Sequence, residues 1–413
     1  MNADRKGQYA IQERLEWRWW VTPRCLSEKP LHRWYIFPHS FTSELVHALI
    51  EEWDLGPSDI ILDPFAGAGT TLLAAKEKHV PAVGYDLSPL AVFAANTKTA
   101  DYNKDVFREA WLQLKIQLKP DQWNGSCDHY PDLVCKALPD RLLYAFDFVA
   151  ARIRELPFEL KYRDALMLAL VSIIPQYSRA IATGGWLKWV KKRSTVASLP
   201  RSLASKVNVM LKDITQNIHS NAETRTEKAD ARVLPDLEAK YSAVITSPPY
   251  PNRHDYTRVF GVELMFAFFN WEETRQLRYQ SFHSHPEARP ERPEYTGYCP
   301  PGSLRKVLSI LEANGSDPRI PNMLDGYFKD LYICLAEMRR VCAPKAHIAL
   351  VLGNAQYSGQ PVMVDEITCD IGEQVGLHCE KLIVARYRGN SAQQMGVWGK
   401  NPSRESIIVF RRE

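Results

Sequence analysis

The sequence predicts a doubly wound α/β fold: a mostly parallel seven-stranded sheet with an antiparallel C-terminal edge, interrupted by a helical insertion. Three observations carry this expectation. In "DIILDPFAGAGTTLLAAKEKH" (59–79) a short apolar run passes through a glycine-rich turn into a helix-like stretch. A second apolar run, "PAVGYDLS" (81–88), ends on an acidic residue, and a third, "YSAVITS" (241–247), stops on two prolines.

Taken in order, the first expected element is a helix in "SFTSELVHALIEEW" (40–53), where Leu45, Leu49 and Ile50 share a face and Thr42 or Ser43 can cap the N-terminus. The first strand (59–65), the turn "AGAGTT" and the helix "LLAAKEKH" follow, then the second strand and a helix through "PLAVFAANTK". Residues 101–220 show helical spacing without strand-like alternation in "FREAWLQLKIQL", "RLLYAFDFVAARIREL" and "RDALMLALVSIIPQYSRAI". The α/β pattern resumes with "KADARVL" (228–234) as the third strand and 241–247 as the fourth. From 251 to 322 the chain is polar and proline-rich, too long for an ordinary loop and too polar for core, which points to function or flexibility. A helix at 323–342, the strand "AHIALVLGN" (346–354), a helix in "VMVDEITCDIGEQVG" and two terminal strands, "EKLIVARYR" and "ESIIVFRR", complete the pattern. The chain thus divides into 1–100, a helical insertion at 101–227, and 228–413 with a polar insertion at 251–322.

Composition narrows the function classes. With 413 residues and 45% hydrophobic content the chain has ample material for a core. Lys+Arg 52 against Asp+Glu 48 leaves a formal charge of +4, which neither demands nor forbids a polyanionic partner. The cysteines number 8, scattered without a CxxC pair, and read as reduced core residues of a cytoplasmic protein with no metal site. Charges run through the N-terminus, and no stretch approaches the ~18 uncharged residues that would span a bilayer, so no membrane association is expected.

Gly67 and Gly69 let the backbone approach a ligand closely at the sheet's C-terminal edge, or simply shape a tight turn. The dinucleotide fingerprint is not met, since Leu72 stands where its third glycine belongs, and no Walker lysine is present. Asp86 ends the second strand, where a carboxylate can accept hydrogen bonds from both hydroxyls of a ribose or cap the next helix. Asp63-Pro64-Phe65-x-Gly67-x-Gly69 together with Asp86 favours a nucleoside-bearing ligand over a pyrophosphate.

"DPFAGAGT", the acidic strand end and the later "TSPPY" resemble the S-adenosylmethionine-dependent amino-methyltransferases of DNA, particularly the group acting on the exocyclic N4 amine of cytosine. The resemblance spans about 36–100 and 228–411 and leaves out both insertions. It implies a class I (Rossmann-like) methyltransferase core, S-adenosyl-L-methionine as cofactor and DNA as substrate. It assigns the turn carrying Asp63, Phe65, Gly67, Gly69 and Thr70 to the methionine part of the cofactor, and Asp86 to its ribose. Near "FPHSFTSELV", Phe37, His39 and Ser40 would touch the methionine carboxylate, with ordinary helix capping as the alternative. Asp230 would approach the adenine ring, or cap or face solvent. Gly353 and Asn354 would line the target-base pocket, or form a simple turn. Ser247, Pro248, Pro249 and Tyr250 match the catalytic motif.

Chemistry explains why such a turn suits the reaction. An aromatic amine is a poor nucleophile because its lone pair is delocalised into the ring, so the site must draw the nitrogen toward sp³ geometry with hydrogen-bond acceptors. Ser247 Oγ and the Pro248 carbonyl are acceptors, and prolines add no N–H. Tyr250 can stack on an extruded base. Serine at the first position favours cytosine N4, with N6 of adenine in DNA, or an RNA amine, as the alternative. Methylation at ring carbon 5 of cytosine would require a thiol, and the one candidate dipeptide, Cys299-Pro300, is reversed and lies in the polar insertion.

The run "WLKWVKKRSTVASLPRSLASK" (186–206) has no acidic residue and interleaves Trp186 and Trp189 with Lys188, Lys191, Lys192, Arg193, Arg201 and Lys206, which suits phosphate contacts. Arg253, His254 and Arg258 follow the catalytic turn and are further DNA candidates, with solvated surface charge as the alternative. Trp17, Trp19, Trp20 and Trp34 read as packing. The cofactor turn precedes the catalytic turn, whereas many serine-type relatives have the reverse order, so target recognition falls to the helical insertion, the 251–322 stretch or both. A monomer or weak dimer is expected, with room for a cognate restriction endonuclease as partner.

Overall fold

The computed structural model describes residues 9–119, 123, 129–139, 141–183, 186–191, 195–214, 220–237, 239–293, 297–389 and 403–413. In chain order, β1 (Ile11–Glu13), α1 (Ser43–Glu52), β2 (Ile61–Asp63), α2 (Thr70–Glu77), β3 (Ala82–Asp86) and α3 (Pro89–Thr99) open the fold. Next come α4 (Lys104–Lys115), α5 (Asp132–Ala137), α6 (Arg141–Glu155), α7 (Leu160–Tyr177), the hairpin β4 (Ala180–Thr183) and β5 (Trp186–Trp189), and α8 (Leu199–Ile214). The chain returns through β6 (Thr224–Lys228) and β7 (Tyr241–Thr246) to α9 (Tyr256–Val259), α10 (Gly261–Ala267), α11 (Trp271–Gln280), α12 (Gly302–Ala313) and α13 (Arg319–Val341). It ends with β8 (Cys342–Gly353), the small pair β9 (Ala355–Tyr357) and β10 (Gln360–Val362), α14 (Val364–Gln374), β11 (Leu377–Arg388) and β12 (Ser403–Arg412).

An eight-stranded sheet in the order β1-β11-β12-β8-β7-β2-β3-β6 forms the centre. Every pairing is parallel except those of β12, which runs antiparallel between β8 and β11. Alternate residues of each strand face opposite sides. Ile61, Ala82, Ala243, Ile245 and Val409 bury against α1 and α2, while Leu62, Val83, Val244, Leu350 and Phe410 join the cluster built on α13 and α14. Because both faces are covered, the central strands are continuously apolar.

The structure corrects the expectation in four places. The eighth strand, β1, pairs with β11 although all three of its residues are exposed, so no hydrophobic alternation announces it. The third strand is Thr224–Lys228, a polar edge, and overlaps the expected insertion boundary at 227. Of the expected strand 228–234, only Lys228 is in a strand, and residues 229–234 form a turn closed by an Asp230–Val233 bridge, with Leu234 held through its N–H to Glu337 Oε2 (2.8 Å). The helical insertion also carries the β4–β5 hairpin.

The fourth correction bears on function. The 251–322 stretch is largely helical, and Val259, Phe260, Val262, Leu264, Met265 and Phe266 bury into the same cluster as α6 and α7. Its polarity lies elsewhere, as at the start of α11, where Asn270 accepts from Glu273 N and Glu273 reaches back to Asn270 N in a capping box. This stretch therefore docks the insertion onto the core rather than looping over it. Trp17 and Trp34 are buried as expected, whereas Trp19 is exposed. Among the described residues, no helix is long and apolar enough to cross a membrane.

Candidate active site

Parallel pairing brings the C-terminal ends of β2, β3 and β7 to one edge of the sheet, where their turns meet. Proline follows β2 directly at Pro64 and ends β7 at Pro248, so neither strand can continue its ladder. Thr246 Oγ1 donates to Asp63 Oδ1 at 2.6 Å, and Phe65 N donates to the same oxygen at 3.1 Å, tying the two turns together. Burial pushes the Asp63 carboxyl up to about 6 despite these donors. Asp63 is fully enclosed and acts on the turns, not on the cleft.

Between these ends lies a cleft whose empty space, measured out to its open mouth, is ≈ 900 Å³. Phe37, His39, Phe65, Gly67, Asp86, Asp230, Ser247 and Pro249 all line it. Asp86 Oδ2 accepts from Gly67 N (2.9 Å) and Oδ1 from Ser88 N (2.8 Å), so the carboxylate is oriented from both sides while each oxygen keeps acceptor capacity. Burial raises it to about 6. Gly67, at φ +49°, lies in the left-handed region, and a Cβ there would project toward Phe37 at 3.5 Å, into the cradle that the two residues form.

The residues present fit a nucleoside-bearing cofactor. The aromatic walls include Phe65 and Phe282 (ring centroids 5.7 Å apart), and Asp86 is an acceptor for hydroxyls. Arg232, which also lines the cleft, is consumed by Asp230 (2.6 Å) and Asp330 (3.3 Å), leaving no free guanidinium for a phosphate. That pairing also occupies the Asp230 carboxylate.

Other expected cofactor residues lie behind the cleft. Gly69, at φ +74°, caps α2, and a Cβ there would fall 2.7 Å from Ala95 Cβ, so its glycine serves packing against α3. Ser40 Oγ and Thr70 Oγ1 meet each other at 3.3 Å, joining the segment before α1 to the start of α2. The buried Lys98 reaches the carbonyls of Ala68 and Tyr35 and clamps the same two segments from below, and burial brings its ammonium down to about 7.

In the Ser-Pro-Pro-Tyr turn, Ser247 and Pro249 are half-buried on the cleft while Pro248 and Tyr250 are buried. The Pro248 carbonyl accepts no hydrogen bond among the described residues. Tyr250 is 9% exposed and is not part of the cleft lining. Its ring packs so closely on Gly353 that a Cβ there would approach Cε2 to 3.1 Å. The phenol interacts with the Ser247 hydroxyl and is held neutral by burial and the nearby Glu405. Gly353 thus makes room for Tyr250, whereas Asn354 Oδ1 accepts from Asp365 N and caps α14. His39 and His254 meet edge to face (4.3 Å), and burial lowers both.

The DNA candidates separate. Lys188, Lys191, Arg201 and Arg253 are exposed. His254 is buried, which removes it from any backbone contact, and Lys206 Nζ is spent on the Arg33 carbonyl. Arg258 pairs with Asp255 (3.7 Å) and Glu287 (3.8 Å) and lies over the Trp186 ring. Lys192 and Arg193 lie outside the described residues.

Sequence reading missed the far wall, formed by Arg232, Tyr256, Thr257, Phe260, Leu264, Leu277, Ser281 and Phe282. The apolar spacing in "YTRVFGVELMFAFF" (256–269) was the available signal, masked by the proline-rich composition of the surrounding stretch.

The DNA methylase (N6/N4) family matches residues 4–96. The Type II methyltransferase M.BsoBI of Geobacillus stearothermophilus is 28% identical over 447 residues, covering 95% of this chain and 87% of that one. M.AvaI of Nostoc sp., also a Type II methyltransferase, is 25% identical over 437 residues, covering 95% and 88%. A solved methyltransferase from Methanosarcina mazei aligns over 88% of this chain and 96% of its own at 8% identity, with a TM-score of 0.33. With the glycine turn, the acid ending β3 and the Ser-Pro-Pro-Tyr turn gathered on one cleft, and with relatives matching along nearly the whole chain, these similarities support the S-adenosylmethionine-dependent DNA amino-methyltransferase family.

Proposed function

We propose that the protein is a site-specific DNA methyltransferase that methylates the exocyclic N4 amine of cytosine by direct transfer to a base turned out of the helix. One observation carries the reading: Ser247 lines the same cleft as Asp86 and Gly67, so an acceptor for an amine and an acceptor for a ribose share one space. Bound S-adenosylmethionine supplies a methyl group made electrophilic by its sulfonium. Asp86 takes the ribose hydroxyls, Phe65 and Gly67 wall the methionine side, and the neighbourhood of Asp230 receives the adenine. Ser247 Oγ and the Pro248 carbonyl accept from the amine and hold its lone pair toward the cleft. His39, neutral because of its burial, lines the cleft and can take the proton that the amine sheds. Tyr250 fixes the Ser247 hydroxyl from behind the turn.

The serine at position 247 supports cytosine. The family covers adenine N6 as well as cytosine N4, and adenine is the competing outcome. Lys188, Lys191, Arg201 and Arg253 supply the phosphate contacts, and the relatives' Type II names support a restriction endonuclease as functional partner. The deciding experiment is mass analysis of nucleosides from DNA incubated with enzyme and labelled cofactor. N4-methylcytosine is expected, N6-methyladenine alone would overturn the base assignment, and label appearing only in RNA would overturn the substrate.

A further inference from the structure

Trp186, at 66% exposure, is the most exposed tryptophan among the described residues, and Trp189 follows on the same strand at 51%. Folding normally removes an indole from water. Both stand on the narrow β4–β5 hairpin, whose strands are joined in sequence by Gly184 and Gly185. The Arg258 guanidinium lies 4.7 Å from the Trp186 ring centroid and sets the plane of the ring. Tyr256 and Thr257, just before Arg258, line the cleft that holds Ser247. The exposed indole therefore stands at the rim of the active site.

The surroundings name the partner. Between Asp164 and Asp213 the sequence has no acidic residue, while Arg179, Lys188, Lys191, Lys192, Arg193, Arg201, Lys206 and Lys212 all fall within that span. Arg179, Lys188 and Lys191 are exposed on or beside the hairpin, and Lys188 shares a strand face with Trp186 by the two-residue alternation. The carboxylates nearest Arg258, those of Asp255 and Glu287, are already paired to it. A two-stranded ribbon with an aromatic ring and flanking ammonium groups is complementary to a polyanion with stacked bases.

We propose that Trp186 stacks into the duplex at the position vacated by the target base, with Lys188 and Lys191 on the flanking phosphates. This rests on the DNA-methylating reading above. Turning a base out of the helix costs stacking and pairing energy, and Tyr250, buried behind the turn, cannot restore the stack left in the duplex. Trp186 can, because it is outside the cleft and beside it.

The test compares wild type, Trp186→Ala and Trp186→Phe on two duplexes carrying the site that wild type methylates, one fully paired and one with the target base mispaired. Extrusion is already cheap in the mispaired duplex. Trp186→Ala should lower kcat/KM by about tenfold or more on paired DNA but by under about threefold on mispaired DNA, and Trp186→Phe should restore most of the loss. Equal losses on both duplexes, or none, would overturn the proposal. So would a change from dimer to monomer in sedimentation with the paired-to-mispaired ratio unaltered, which would make the hairpin a contact between copies. Wild type that methylates no DNA would refute the function itself, and the proposal with it.

Discussion

Replacing Asp86 by Asn separates a cofactor acceptor from a structural cap. In the native protein Oδ1 and Oδ2 each receive one backbone N–H, from Ser88 at 2.8 Å and Gly67 at 2.9 Å. An amide keeps one of these and sets N–H against N–H at the other, while the ribose loses a charged acceptor. Hydrogen bonds to charged groups are worth about 1.5–3 kcal/mol, so cofactor affinity should fall by roughly 10- to 150-fold. The pH dependence supplies a second reading. Burial holds the Asp86 carboxyl at about 6, and ribose hydroxyls favour its ionised form. Wild-type affinity should therefore be flat above about pH 7 and fall up to about tenfold by pH 5, whereas Asp86→Asn should show no such slope. Titration calorimetry with the cofactor across this range measures both. An unchanged affinity in Asp86→Asn, or a wild-type affinity flat down to pH 5, would remove the carboxylate from the cofactor site.

Ser247→Ala should reduce kcat far more than DNA or cofactor binding, because its acceptor matters most as the amine pyramidalises, and single-turnover rates beside equilibrium binding check this. Tyr250→Ala and Tyr250→Phe both remove the phenol that holds the Ser247 hydroxyl and should lower kcat more than DNA binding, as measured by single-turnover rates beside equilibrium binding. Gly69→Ala combines a left-handed backbone with a Cβ 2.7 Å from Ala95 Cβ and should destabilise the protein by about 2–4 kcal/mol in denaturant unfolding. Gly67→Ala should cost only about 1 kcal/mol of stability and act chiefly on cofactor affinity. Asp63, fully buried, has its folded value raised from 3.8 to about 6, so the stability it confers is complete below its unfolded value and is lost as pH rises through about 6. Asp63→Asn keeps both bonds to Oδ1, and its stability relative to wild type should rise by about 3 kcal/mol between about pH 4 and 8.

Much of the near wall of the cleft was legible because its elements are local. The glycine turn, the acid ending β3 and the SPPY turn each lie within a few residues of a strand end. Strand ends in a parallel sheet converge, so spacing alone anticipates that they meet. The far wall was not legible. Phe260 and Phe282 reach the cleft from a stretch whose prolines and charges dominate any composition window, and their aromatic neighbours, Phe37 for Phe260 and Phe65 and Tyr327 for Phe282, lie in other parts of the chain. Nor could sequence tell a charged side chain that faces solvent from one that is spent. Lys188 and Lys206 look alike in a basic run, yet one is exposed and the other is bound to the Arg33 carbonyl.

By itself the sequence determined the strands β2, β3, β7 and β8 of the parallel core, the glycine turn after β2, the acid ending β3 and the Ser-Pro-Pro-Tyr turn after β7. These depend on backbone preferences and apolar alternation over a few residues. Tertiary structure decided which of the two glycines opens the cleft and which allows α2 to pack on α3. It also buried Tyr250 against Gly353, withdrew His254 from the surface and set Trp186 at the rim. Those outcomes depend on what lies across a gap of a few ångströms from another part of the chain, and such contacts leave no trace in the spacing of neighbouring residues.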